Sequence, residues 1–149
     1  MTTGIPGSTA RRNTTQQVGY LRFAVNFNDT GIAAGVNKQW LPAGAVITDT
    51  SVMIATAFNA GTTNVLTVGL TPIGSSPDVG GTPVTNNVVA AGQVAPGTIA
   101  LTNGIVPTGA ALGPLATDAQ VNVTYTQTGA AATAGQAIVM IKYIPNNDL

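Results

Sequence analysis

Eighteen glycines and nine prolines recur at short intervals through the 149 residues, and this punctuation is what most restricts the fold. Proline removes a backbone donor and glycine loosens the chain, so the pieces between them suit strands and turns rather than long helices. Within those pieces the apolar residues alternate. Leu21, Phe23, Val25 and Phe27 interleave with Arg22, Ala24 and Asn26, a period of two that sends large apolar side chains to one face of a sheet.

The same reading continues along the chain. Residues 38–41 lead into a Pro42-Ala43-Gly44 bend. Residues 45–58 read as one long strand, or two joined by a bulge at Asp49-Thr50, with Val52, Ile54, Thr56 and Phe58 on one face and Met53, Ala55 and Ala57 on the other. Leu66, Val68 and Leu70 align in the next strand, so residues 52–70 predict a hairpin. Residues 71–81 and 107–118 are Gly/Pro loops, residues 84–91 and 98–101 are weaker strands, and Asn103-Gly104 suggests a tight type I′ turn. Val121, Val123 and Tyr125 mark a further strand. The last one, residues 137–144, is apolar on both faces and therefore expected at the centre of a sheet.

About eight short strands at such spacing predict an all-β fold: a two-sheet antiparallel β-sandwich of jelly-roll type, with a seven-stranded immunoglobulin-like sandwich as the alternative. The expected organisation is a flexible N-terminal arm over residues 1–17, a sandwich domain over 18–145 and a short C-terminal tail over 146–149. The arm is rich in Thr, Gly, Ser and Gln, a composition that orders only on contact. No secretory signal pattern and no run of apolar residues long enough to span a bilayer is expected to anchor the chain.

Side-chain chemistry is sparse. Charged residues make up 7% of the chain, against roughly 25% in an ordinary soluble domain, while 44% are hydrophobic and the net charge is zero. So little self-repulsion favours association. Histidine, cysteine and glutamate are absent, which excludes Ser-His-Asp and Cys-His nucleophiles and thiolate metal sites. A carboxylate pair would have to come from Asp29, Asp49, Asp78, Asp118 and Asp148, most of them in turns, where Asp ordinarily bonds its own backbone. Asp78 with loop carbonyls is a weak calcium candidate without the usual ligand run. No catalytic residue, metal or cofactor is therefore expected.

The cations Arg11, Arg12, Arg22, Lys38 and Lys142 are scattered, so neither nucleic acid nor membrane is an expected partner. Arg11, Arg12 and the single tryptophan, Trp40, are the candidate partner-binding residues. For Trp40, anchoring a core or a loop is the expected role, and stacking on a sugar the competing one.

Residues 41–48 (LPAGAVIT), 56–69 (TAFNAGTTNVLTVG), 121–129 (VNVTYTQTG) and 135–145 (GQAIVMIKYIP) together resemble the cement or decoration proteins that coat tailed-bacteriophage capsids of the HK97-like type. The resemblance covers the central and C-terminal two-thirds of the chain. It implies a jelly-roll-like sandwich on the outer capsid surface of a virion, made in the host cytoplasm and bridging major capsid subunits. It also implies a homo-oligomer, a dimer before a trimer, and no active site. A carbohydrate-binding or receptor-binding module of a phage fibre is the alternative, and an Asp-pair hydrolase the third reading.

Overall fold

The computed structural model describes residues 18–73 and 84–145. Among these residues seven strands run in chain order: β1 Gly19–Asn26, β2 Val36–Leu41, β3 Val46–Thr56, β4 Thr63–Pro72, β5 Leu101–Ile105, β6 Ala119–Thr128 and β7 Gln136–Ile144, with a turn of 3-10 helix at Gly109–Leu112. They form a four-stranded sheet ordered β1-β7-β3-β5 and a three-stranded sheet ordered β2-β6-β4, all neighbours antiparallel.

An eighth strand is present in reduced form. The main chain of Val88 and Val89 donates to the Val68 carbonyl, and Val68 donates back to Val89, along the outer edge of β4. Counting that segment, the first strand pairs with the last, the second with the second-last, and so inward to the middle pair. This nesting is a long antiparallel ribbon rolled on itself, the jelly roll.

Period-two alternation places the core. In the four-stranded sheet Leu21, Ile141 and Thr50 lie in one register row, Phe23, Val139 and Val52 in the next, and Val25, Ala137 and Ile54 in a third. They face Leu66, Val68, Leu70, Val121, Val123 and Tyr125 of the other sheet, all buried. Phe58 and Tyr125 meet across the gap with ring centroids 4.6 Å apart and planes tilted by 44°, a favourable aromatic geometry.

The structure corrects three local expectations. The hairpin over residues 52–70 does not form: β3 spends both edges on β7 and β5, while β4 pairs β6 in the opposite sheet. Phe58 explains the crossing, because burying its ring against Tyr125 draws the chain from one sheet to the other.

Asn103-Gly104 is not a turn. It lies inside β5, where the pairing slips between Thr50↔Ile105 and Val52↔Thr102. Gly104 holds φ at 71° there, and a positive-φ glycine serves a bulge as well as a turn. The third correction is the weak strand over residues 84–91, whose ladder is reduced to one bridge at Val89.

β7 does lie between two strands, as its two apolar faces implied. The bulge expected at Asp49-Thr50 is displaced by one residue: both stay paired to β7, and the register shifts fall between Ile47 and Asp49 against β7 and between Thr50 and Val52 against β5. The N-terminal arm, with Arg11 and Arg12, and the C-terminal tail fall outside the described residues.

Candidate interaction surface

The described aspartates are engaged in building the scaffold. Asp29 closes the turn after β1, accepting from the Asn26 backbone at 3.1 Å, from the Asn26 amide at 3.3 Å and from Lys38 Nζ at 2.5 Å. Partial burial pushes its carboxyl up. The hydrogen bonds from Lys38 and Asn26, with the Lys38 charge, outweigh that and hold it below its ordinary value. Asp49 accepts from Ser51 Oγ at 3.1 Å and from the Gly104 N–H at 3.0 Å, bridging β3 to β5 where their ladder is interrupted. Asp118 accepts from the Ala43 N–H at 2.7 Å and ties down the bend after β2.

Asp78 lies outside the described residues. Among those described, no three metal-ligating side chains gather, and no helix is long and apolar enough to cross a membrane.

What the fold does assemble is surface. Ala24, Ile138, Met53 and Leu101 stand in one register row across all four strands of the larger sheet, on the side away from the core. Leu101 is 54% exposed and Met53 41%. The adjoining row carries Arg22, Met140 and Ser51, and the next Tyr20, Lys142 and Asp49. An apolar stripe flanked by both signs of charge on a solvent-facing sheet is the kind of patch that marks an interaction site. Its sequence signal is the outward half of β7, Ile138 and Met140, which the core does not use.

The three-stranded sheet turns a different face outward. Trp40, Gln120 and Thr71 share one row, and Asn122 and Thr124 follow Gln120 along β6 on the same side. Trp40 is 52% exposed. It is thus neither core nor loop anchor, because its place in β2 puts it on the outer side while Leu41 turns inward. Trp40 and the apolar row lie on opposite sheets of the sandwich, so the structure does not gather them into one site.

The architecture has counterparts among solved structures. It shares its fold with chains from three phage capsids. A chain in the capsid of Ralstonia phage GP4 superposes with a TM-score of 0.60 at 18% identity, covering 89% of this chain and 86% of that one. One in the capsid asymmetric unit of cyanophage Pam1 gives 0.58 at 19% identity, covering 87% and 86%. One in the acidic stable capsid of Helicobacter pylori bacteriophage KHP30 gives 0.51 at 14% identity, covering 85% and 86%. Coverage that high in both directions means chains of comparable size, matched over nearly the whole jelly roll. No protein-family model and no curated protein matches the chain.

Proposed function

We propose that this chain is a structural component of a bacteriophage virion that sits on the outer face of the capsid and cements neighbouring major capsid subunits. The observation that carries this reading is the in-register apolar row Ala24–Ile138–Met53–Leu101 on an otherwise neutral sandwich. Its fold-mates, of similar length, come from phage capsids. An inner surface facing packaged nucleic acid would call for clustered cations. The described cations are Arg22, Lys38, which is paired with Asp29, and Lys142, which lies opposite Asp49, so the outside of the shell is favoured.

Magnitudes indicate how such a subunit would hold. Four strands about 4.8 Å apart and roughly eight residues long present a face on the order of 500 Å². A standard interface takes roughly 800 Å² from each partner, so one copy binds weakly and repetition over a closed shell supplies the avidity. Assembly as a homo-oligomer, a dimer before a trimer, would double the contact. Residues 1–17, with Arg11 and Arg12, would add an arm that pairs with a neighbouring sheet edge.

Met53→Asp and Ile138→Asp test the reading, measured as copies retained per purified shell and as the temperature at which shells open. Both variants should fold, since these side chains face away from the core, and both should lose occupancy at least tenfold. Undiminished occupancy and shell stability would refute the docking face. Deleting residues 1–12 separates the arm's share from that of the sheet.

A further inference from the structure

The outer face of the three-stranded sheet has a chemistry that shell cementing does not use. Trp40 on β2, Gln120 on β6 and Thr71 on β4 stand side by side in one register row, which places directly opposed Cβ atoms about 5 Å apart. Beyond Gln120 the sheet opens into a cavity of about 210 Å³, lined by the polar Thr71, Thr85, Gln120 and Asn122 and by the apolar Ala34 and Val84, among others. None of these residues is charged.

Several of the polar groups are left over from folding. The Thr124 Oγ has no hydrogen-bond partner among the described residues but is sealed from solvent, out of reach of a ligand. Asn122 spends its amide nitrogen on the Thr71 hydroxyl and the Gln120 carbonyl, which leaves its side-chain oxygen as an acceptor. The Gln120 side-chain amide bonds to nothing among the described residues. A ligand that offers hydroxyls to the free Gln120 amide and the Asn122 side-chain oxygen would supply the partners that folding leaves out.

We propose that this face binds a neutral glycan, with Trp40 stacking on the apolar side of a sugar ring and Gln120 and Asn122 bonding its hydroxyls. An exposed indole offers a large flat apolar surface at small entropic cost. Amides and hydroxyls donate and accept at once, which matches a polyol and not a carboxylate or a phosphate. The cavity lies below the roughly 300–1,000 Å³ of a drug-sized pocket, so it takes a single ring and the rest of the chain lies along Trp40. A protein partner is the less favoured occupant, because a tryptophan that anchors a protein interface sits at a desolvated apolar centre, whereas Trp40 stands beside amides and hydroxyls. Repeated over an assembled particle, weak sites of this kind hold a polysaccharide by avidity.

Because Trp40 is the only tryptophan in the chain, its fluorescence reports this site alone. The full chain is titrated with maltohexaose, cellohexaose, laminarihexaose and chitohexaose, with heparin as the charged control. At least one neutral hexamer should shift Trp40 emission saturably, with a Kd near ~1 mM or below, and heparin should not. Gln120→Ala should weaken binding about fivefold, the loss of one hydrogen bond, without moving the melting temperature. Trp40→Ala should abolish retention on an immobilised form of the active sugar, and Trp40→Tyr should restore part of it. Flat emission with every neutral sugar up to ~10 mM, together with no retention on a glycan array, overturns the proposal. So does an equal response to heparin. Shell occupancy is read separately, so failure here leaves the cementing reading standing.

Discussion

The side-chain oxygen of Asn87 accepts the Leu70 N–H at 2.9 Å, in the position where a neighbouring strand would have offered a backbone carbonyl. The Asn87 carbonyl meanwhile accepts from the Thr108 N–H at 2.7 Å. One buried residue therefore completes the edge of β4 and fastens the loop before the 3-10 turn. Side-chain amides compete with backbone ladders in this way, which is why the eighth strand is reduced to a bridge. Asn87→Ala leaves a buried N–H unpaired and should cost about 2–3 kcal/mol. Urea denaturation monitored by circular dichroism measures it, and a loss below about 0.5 kcal/mol would contradict this role.

Gly69 is the second support of that edge. A Cβ built there overlaps the backbone carbonyl of Val84, a group that cannot swing aside as a flexible side chain would. Gly69→Ala must displace the chain from β4 and should destabilise by about 2 kcal/mol or more, in the range of overpacking. Gly92→Ala is the control, since a Cβ there meets nothing within 4 Å and only its φ of 85° opposes the change. The ordering of the two losses is the outcome to check.

Thr50 is fully buried in the core of the four-stranded sheet, and its Oγ has no hydrogen-bond partner among the described residues. The hydroxyl carries a desolvation penalty that a methyl would not. Thr50→Val should therefore raise stability by about 1 kcal/mol, seen as a higher urea midpoint at unchanged slope. A destabilised variant would show that the hydroxyl is satisfied in solution.

Acid should weaken the turn between β1 and β2. The Asp29 carboxyl sits below its ordinary value of 3.8 because Lys38 and Asn26 outweigh the opposing effect of burial. A depressed carboxyl stabilises the fold above its unfolded value, and that contribution fades as the pH falls through the folded one. Wild type should exceed Asp29→Asn by about 1 kcal/mol near neutrality, and the gap should narrow below about pH 4. A gap that is constant across that window would mean that the charge plays no part.

How much was legible beforehand depended on the range of the interaction. Alternation in residues 21–27, 121–125 and 137–144 reflects a rule that acts along one strand, so the core face of each could be read directly, as could the central place of β7. Pairing is a long-range choice. Nothing near residues 52–70 reveals that Phe58 will cross to Tyr125 and deny the hairpin. The Asn103-Gly104 pair carries one requirement, a positive φ, that a turn and a bulge satisfy equally.

The candidate surfaces divide in the same way. That this chain works without imidazole, thiol or glutamate, and with few ions, was settled by its composition. That Ala24, Ile138, Met53 and Leu101 form one row, and that Trp40 stands beside Gln120 in the open, was settled only when strands distant in sequence took their register. Composition decides which chemistry a chain can hold, whereas register between strands decides which side chains share a face.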